Sequence, residues 1–290
     1  MTVYNLGSIN IDTIITVPHL PGPGETLAGT GYWSGLGGKG ANQSVAVAKA
    51  GRQVQHLGRV GSDGSAVLAE LAGYGVDISR IGQVDGPTGL AHITVDDAGE
   101  NVIILLPGAN HRQSATEITA ALSTAEPGDI LLLQNETNCQ LEAAQCAKER
   151  GLRVIYSAAP FAPEAVRAVL PFIDVLIMNE IEAAQLQDAL NCALQDLPVG
   201  HILVTEGADG VDLITTSECR HYPAIKVTPV DTTGAGDTFA GYLAAALDRG
   251  ADWAEAIRIA TIAAGIATTR AGTSAAIPEM SDVLAWPGSY

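Results

Sequence analysis

The sequence predicts an α/β fold of three layers, with a mainly parallel central sheet between helices and a small additional β-layer. Two observations lead to this prediction. Short apolar segments of strand length alternate with longer helical patterns along most of the 290 residues. Two stretches, near residues 11–36 and 88–106, break this alternation: the first is extended and rich in Gly and Pro, and the second contains two short strand-like runs. We expect these two stretches to form the small β-layer.

The individual elements follow from local patterns. The run Ile130-Leu131-Leu132-Leu133 is uniformly apolar, as expected for a strand buried on both faces of a parallel sheet. Strands are expected at 3–9, 53–57, 130–133, 153–156, 174–178 and 201–205. Helices are expected at 40–50, 66–74, 139–150, 163–169, 180–190, 235–249 and 253–270. The turn at 97–100 lies between two short strand-like runs, 91–95 and 102–106, which predicts a hairpin in the small β-layer.

Composition narrows the classes of function. The net charge of −17 argues against a nucleic-acid-binding protein, because such proteins need clustered Lys and Arg. No apolar run reaches the roughly 18 residues that a membrane span requires. The four cysteines, at 139, 146, 192 and 219, lack the paired spacing of a metal site, so we expect reduced thiols and a cytoplasmic protein.

A glycine-rich segment, Gly35–Gly40, formally matches the G-x-G-x-x-G pattern of dinucleotide-binding folds, and Asp63 follows at a suitable distance. That pattern should directly follow the first strand, whereas a Pro-rich stretch intervenes here. A Walker A loop would need glycine in place of Trp33 and Ser or Thr after Lys39. The segment therefore indicates either a close approach of a ligand to the backbone or a tight turn into a helix.

A second segment, 231–239, opens an apolar helix with the run Gly234-Ala235-Gly236. The free N–H groups at a helix start form a site for anions and for charge that develops on a transferred phosphoryl group. Asp237 lies in this first turn, where it is either a reacting group or only an acid that complements the helix dipole. Asn179 and Glu182 follow another strand and are either magnesium ligands or the start of a helix.

Four segments together resemble the ribokinase, or PfkB-type, family of carbohydrate kinases. They occur in the family's order and are Gly7–Asp12, Gly37–Gln43, Asn179 with Glu182, and Asp231–Phe239. The second segment is closer to those of ribokinases than to those of fructokinases or adenosine kinases. The resemblance implies one ribokinase-like domain over residues 1–290, in which the small β-layer is a lid over the sugar.

The resemblance also implies roles for individual residues on the sugar side. Binding of the sugar is expected from Asn10, Asp12, Gly38, Lys39, Asn42 and Glu136. Asp237 would accept the proton of the attacking primary hydroxyl. The main chain of Gly234, Ala235 and Gly236 would stabilise the transferred phosphoryl group.

On the nucleotide side, the resemblance implies that ATP binds to Asn179, Thr205, Gly207 and Gly236. Mg²⁺ would be held by Glu182, through water. A K⁺ site is expected at Asp231, Thr233, Ala267 and Gly272, and Ala276 occupies the position of a frequent serine ligand. Asp231 could instead cap its own turn, or Arg270 could reach it and replace the ion.

These expectations lead to an ATP-dependent kinase for a small sugar, with D-ribose as the leading substrate and ribose 5-phosphate as the product. A kinase of the same family for another sugar or a nucleoside is the alternative. A NAD-dependent oxidoreductase or a non-catalytic sugar-binding relative is a more remote alternative. The expected partners are the sugar and ATP, without nucleic acid or membrane, and a second copy of the chain that pairs through the lid.

Overall fold

Two β-sheets organise the chain in the computed structural model, which describes residues 1–287. The larger sheet contains, in spatial order, β13 (Cys219–Pro223), β12 (Gly210–Ile214), β11 (His201–Thr205), β10 (Val175–Asn179), β9 (Arg153–Ser157), β8 (Ile130–Gln134), β1 (Val3–Leu6), β4 (Val54–Val60) and β5 (Ile81–Gln83). Neighbouring strands from β11 to β5 are parallel. The pairs β11–β12 and β12–β13 are antiparallel.

The smaller sheet has four strands in the order β3 (Gly31–Gly37), β2 (Asn10–Val17), β6 (Gly89–Asp96) and β7 (Asn101–Leu106). β2 and β6 are parallel, whereas β3 and β7 pair antiparallel to their neighbours. The predicted hairpin is confirmed as β6–β7. Its turn is held by the Asp96 carboxylate, which accepts hydrogen bonds from the N–H groups of Ala98 and Glu100 at 2.9 and 3.0 Å.

Helices cover both faces of the larger sheet. They are α1 (Lys39–Lys49), α2 (Ser65–Gly73), α3 (Ala115–Leu122), α4 (Gln140–Glu149), α5 (Pro163–Val169), α6 (Glu180–Leu190), α7 (Ala235–Asp248), α8 (Trp253–Thr268) and α9 (Met280–Leu284). Along β8, Ile130 and Leu132 join the core under α1, α2, α7 and α8, while Leu131 and Leu133 join the core under α3 to α6. This arrangement confirms the predicted α/β fold with a separate small sheet.

Several local predictions need correction. The first strand ends at Leu6 instead of residue 9, because Gly7 contacts α1 so closely that a Cβ there would lie 2.5 Å from the Cα of Gly40. The sequence analysis missed β5, β12, β13, α3 and α9, which are short. The strand β13 was missed because it lies at the edge of the sheet and is mostly polar. Within residues 1–287, no helix has the length and apolar character needed to cross a membrane.

Candidate active site

The predicted site residues meet at the carboxyl ends of the parallel strands, the usual ligand-binding edge of an α/β sheet. Glu136 follows β8, Asn179 ends β10 and Thr205 ends β11. The smaller sheet adds Asn10 and Asp12, which lie on β2.

The start of α1 is fixed by glycines that make close backbone contacts. Gly38 has φ of 94°, a conformation that favours glycine, and a Cβ there would lie 2.9 Å from the carbonyl oxygen of Ser8. A Cβ at Gly40 would lie 2.4 Å from the Cα of Gly7, and one at Gly37 would overlap the carboxyl group of Asp12. These glycines therefore allow α1 to begin directly against the end of β1 and against Asp12.

The dinucleotide hypothesis is not supported by this geometry. The segment Gly35–Gly40 follows β3 of the smaller sheet, whereas a dinucleotide fingerprint follows the first strand of the main sheet. The Asp63 carboxylate accepts hydrogen bonds from the N–H and hydroxyl groups of Thr88, at 2.8 and 2.6 Å. Through these two hydrogen bonds, Asp63 stabilises a loop of the protein.

Asp237 lies in the first turn of α7 and is buried. Each of its carboxylate oxygens accepts a side-chain amide hydrogen bond, from Asn42 at 3.1 Å and from Gln43 at 3.0 Å. The helix begins after Gly234, which has φ of 75°. The first-turn N–H groups have no partner within the helix, and a Cβ placed on Gly236 would meet no atom within 4 Å. Asp237 therefore lies beside an open space at the start of α7, where the Ala235 N–H donates to the Thr232 carbonyl at 3.3 Å.

Two further side chains fix the amides that hold Asp237. The Gln134 side-chain amide donates to the side-chain oxygen of Gln43 at 2.7 Å, and the Ser274 hydroxyl donates to that of Asn42 at 2.7 Å. Gln43 must keep its N–H toward Asp237, because its oxygen faces the Gln134 donor. The sequence analysis assigned no role to Gln43, Gln134 or Ser274, although Gln43 lies within the segment that carried the family resemblance.

On the smaller sheet, Asn10 of β2 is oriented by Asn110. The Asn110 side-chain amide donates to the side-chain oxygen of Asn10 at 2.7 Å, and its own oxygen accepts the Ile9 N–H at 2.9 Å. Asn10 therefore presents its NH₂ group as the available donor. Gly89 leaves room for this pair, since a Cβ there would lie 2.2 Å from both side chains. Asn110 lies in a short 3-10 turn, Gly108–His111, after β7, and no sequence pattern around it indicated this role.

Charged side chains of both signs lie close enough together to shift one another's pKa values. Glu136 accepts hydrogen bonds from the Ser8 hydroxyl and from the Lys39 N–H, the latter at 3.1 Å. Burial raises the pKa of Glu136, and the Lys39 ammonium partly offsets this. The pKa of Lys39 is raised chiefly by the Asp237 carboxylate, so Lys39 remains an ammonium. Burial, with the charges of Glu136 and Asp237, raises the pKa of Asp12 to about 7.

A cavity of about 200 Å³ is lined by Asp237 together with Lys39, Asn179, Glu182, Thr205 and Gly236. Asn179 and Glu182 cap α6 reciprocally, with N–H to side-chain oxygen distances of 2.8 and 2.9 Å. This capping box uses one oxygen of the Glu182 carboxylate. Gly207 lies on the turn after Thr205 with φ of 57°.

The loop before α7 is tied to the loop after α8. The Asp231 carboxylate accepts the N–H groups of Thr233 and Gly272, at 2.9 and 3.0 Å. Burial opposes ionisation of Asp231, but these N–H groups outweigh it and lower its pKa. The Thr268 carbonyl accepts the Val230 and Asp231 N–H groups at 2.7 and 3.1 Å. Arg270 binds Asp282 at 2.9 Å and does not replace an ion at Asp231.

The arrangement is suited to transfer of a phosphoryl group to a hydroxyl group. A buried carboxylate lines a cavity at a helix N-terminus that matches an anion, and it lies near the polar groups of Lys39 and Asn42, which match a polyhydroxyl compound. Such a site defines the class of phosphotransferases that act on alcohols.

Comparison with known proteins agrees with this class. The sequence pattern of the pfkB family carbohydrate kinases matches residues 2–280. A ribokinase of Haemophilus influenzae is 37% identical, over 98% of this chain and 97% of its own. A deoxyribokinase of Salmonella typhi is 30% identical, over 97% and 96%. The structure of Arabidopsis thaliana ribokinase complexed with ribose and ATP superposes with a TM-score of 0.85 at 29% identity, covering 97% of each chain.

The chain belongs to the PfkB family of carbohydrate kinases. It is therefore an enzyme that transfers a phosphoryl group to an alcohol group of its acceptor.

Proposed function

We propose that this enzyme is an ATP-dependent ribose kinase, which transfers the γ-phosphate of ATP to the primary hydroxyl of D-ribose and releases ribose 5-phosphate. The observation that carries the proposal is the position of Asp237, which is buried, accepts a hydrogen bond from Asn42 and lines the cavity beside Lys39 and Gly236. The ribokinase relatives support ribose as the sugar.

Recognition of ribose would use the donors and acceptors on the sugar side. Asn10 and Lys39 supply N–H donors, while Asp12 and Glu136 supply carboxylate acceptors. Asn42 is hydrogen-bonded to Asp237, and Gly38 immediately precedes α1, where its backbone would contact the sugar. Because each hydroxyl would have a partner, sugars that lack one leave a buried polar group unpaired and are disfavoured.

In the transfer step, Asp237 accepts the proton of the attacking hydroxyl, with both of its oxygens held by amides that keep it directed at that hydroxyl. The N–H groups of Gly234, Ala235 and Gly236 stabilise the charge on the transferred phosphoryl group. The nucleotide occupies the cavity at Asn179, Thr205 and Gly236 and extends to the turn at Gly207.

A magnesium ion fits beside Glu182, because its carboxylate lines the cavity and only one oxygen is used in capping α6. Such an ion would supply positive charge for the phosphates of ATP.

The four cysteines are free thiols, which agrees with the reducing cytoplasm as the compartment.

The test of the function is ATP turnover with a panel of sugars and nucleosides. We expect D-ribose to give the highest kcat/KM among D-ribose, 2-deoxy-D-ribose, D-fructose and adenosine. A higher value for 2-deoxy-D-ribose would instead assign the enzyme to the activity named for the Salmonella typhi relative. A nucleoside as the best acceptor would also contradict the proposal, as would ribose binding without turnover.

Sugar use is expected to depend on pH through Asp12. Since the pKa of Asp12 is about 7 in the ligand-free protein, its carboxyl is protonated at lower pH and ionised at higher pH. The ionised form accepts two hydroxyl hydrogen bonds. The kcat/KM for ribose should therefore rise from pH 6 to pH 8 with a midpoint near 7, since this ratio reports groups of the free enzyme. Asp12→Asn should lack this rise, and an identical profile in both proteins would refute the role of Asp12.

Potassium is expected to activate the enzyme. The Asp231 carboxylate, which accepts the N–H groups of Thr233 and Gly272, and the main-chain carbonyls of Thr233, Ala267 and Gly272 would hold this ion, while Ala276 has no side-chain oxygen to add. An ion there would stabilise the loop that begins α7. Turnover at fixed Mg²⁺ should increase several-fold when K⁺ replaces tetramethylammonium. An unchanged rate would exclude activation by this ion.

The enzyme is expected to form a homodimer through the smaller sheet. Its edge strand β7 exposes apolar side chains from Val102 to Leu106, and such edges favour pairing. Light scattering at micromolar concentration should give the mass of two chains. Ile104→Lys should give monomers, whereas the control Ile181→Lys, at a similarly exposed position (63% against 64%), should not. A monomeric wild-type protein would contradict this prediction.

A further inference from the structure

A cluster of metal-ligating side chains lies outside the candidate active site, on one face of the β12–β13 hairpin. Asp212 is directly opposite His221 in the antiparallel register. Cys219 precedes His221 by two residues, so both side chains lie on the same face of β13. Glu206 joins them from the turn after β11. The four residues supply one imidazole, one thiol and two carboxylates.

The ligand atoms are already close together. The His221 Nδ1 atom is 2.7 Å from an Asp212 oxygen and 3.8 Å from a Glu206 oxygen. The Cys219 Sγ atom is 3.9 Å from the other Asp212 oxygen. Ligands of a tetrahedral zinc ion lie about 2.0–2.3 Å from the metal and hence about 3.3–3.8 Å from one another. The ligand atoms of Glu206, Asp212 and His221 all lie within 4.8 Å of one another, and a rotation of the Cys219 side chain would add a fourth ligand to the same ion.

We propose that Glu206, Asp212, Cys219 and His221 form a binding site for one zinc ion. A nitrogen, a sulfur and two oxygen ligands suit Zn²⁺, whereas Mg²⁺ prefers oxygen ligands in an octahedron. Three of the ligands are attached to paired strands, so the scaffold is ordered. His221 and Cys219 are exposed, which leaves the site open to ions from solution.

The alternative is an ion pair without metal, in which His221 is protonated. The hydrogen bond to Asp212 raises the pKa of His221, and burial with the Asp212 charge raises the pKa of the Cys219 thiol. The Asp212 carboxylate contributes to both shifts, which agrees with a concentration of negative charge at this face. A divalent cation neutralises that charge more completely than one imidazolium and removes the repulsion between Glu206, Asp212 and an ionised Cys219.

The first experiment titrates reduced, metal-free, untagged protein with Zn²⁺ by isothermal calorimetry in millimolar Mg²⁺. We expect one zinc ion per chain and a dissociation constant at least tenfold weaker in His221→Ala and in Asp212→Asn. His19→Ala is the matched control, because His19 forms another exposed His–Glu pair, at 2.9 Å from Glu25. Absence of zinc binding, or equal affinity in His221→Ala and wild type, would overturn the proposal.

The second experiment replaces Zn²⁺ with Co²⁺, whose absorption reports its ligands. A thiolate-to-cobalt charge-transfer band should appear in the wild type and in the control Cys146→Ser, and it should be absent in Cys219→Ser. A band that persists in Cys219→Ser removes the thiol from the proposed ligand set. Equal thermal midpoints of the metal-free variants establish that they fold, and neither measurement depends on the kinase reaction.

Discussion

Replacing Asp237 by Asn is expected to lower kcat by about 10²–10⁴-fold, the usual contribution of a general base. Asparagine keeps the size of the side chain but cannot accept the proton of the attacking hydroxyl. The loss should appear in kcat, while the affinity for ribose changes little, because the sugar-side groups Asn10, Asp12 and Lys39 remain in place.

The Asp237→Asn variant should also fold, because the surrounding amides can adapt to the new N–H group. Gln43 cannot turn, since its oxygen accepts from Gln134. Asn42 can turn, because its partner Ser274 has a hydroxyl that can accept as well as donate. The oxygen of the introduced amide would face Gln43, and its NH₂ group would face the reoriented Asn42.

The measurement is steady-state turnover together with ribose binding by calorimetry. Asp252→Asn is the matched control, since Asp252 is another acid at a helix start, where it caps α8. We expect this control to retain wild-type kcat. If Asp237→Asn keeps more than about a tenth of the wild-type kcat, Asp237 is not the base.

Asp12→Ala is expected to lower kcat/KM for ribose by roughly 10²–10⁴-fold, since two hydrogen bonds to a charged acceptor, each of about 1.5–3 kcal/mol, are lost. The KM for ATP should change little, because Asp12 lies on β2 of the smaller sheet, where we propose that the sugar binds, and does not line the cavity proposed for ATP. The substitution should therefore lower kcat/KM for ribose and leave the KM for ATP nearly unchanged.

The same variant should not lose stability at pH 8. The ionised Asp12 carboxylate is unfavourable in its buried position, as its pKa of about 7 indicates, so its removal leaves the thermal midpoint unchanged or higher. A lower midpoint would point to a structural role. Asp97→Ala, at an exposed turn of the same sheet, is the control. Unchanged kcat/KM for ribose in Asp12→Ala would exclude Asp12 from the sugar site.

Local sequence patterns were sufficient to predict the order of the main strands and helices and to locate the segments Gly37–Gln43 and Asp231–Phe239. These features are local: the run 130–133 is apolar in every position, and Asp237 follows glycines at the start of an apolar helix. Periodicity and helix-start chemistry depend on neighbouring residues, so they can be predicted without knowledge of the fold. The polar edge strand β13 lacks such a pattern and was not predicted.

The folded structure was needed to learn which distant side chains meet and how burial changes their pKa values. The contact from Gln43 to Asp237 joins residues 194 positions apart, and that from Asn110 to Asn10 joins residues 100 positions apart. The pKa of Asp12 near 7 and the pairing of Asp212 with His221 likewise depend on packing and strand register. Such properties arise from distances and desolvation in the folded chain, and neither quantity is encoded in any short segment of sequence.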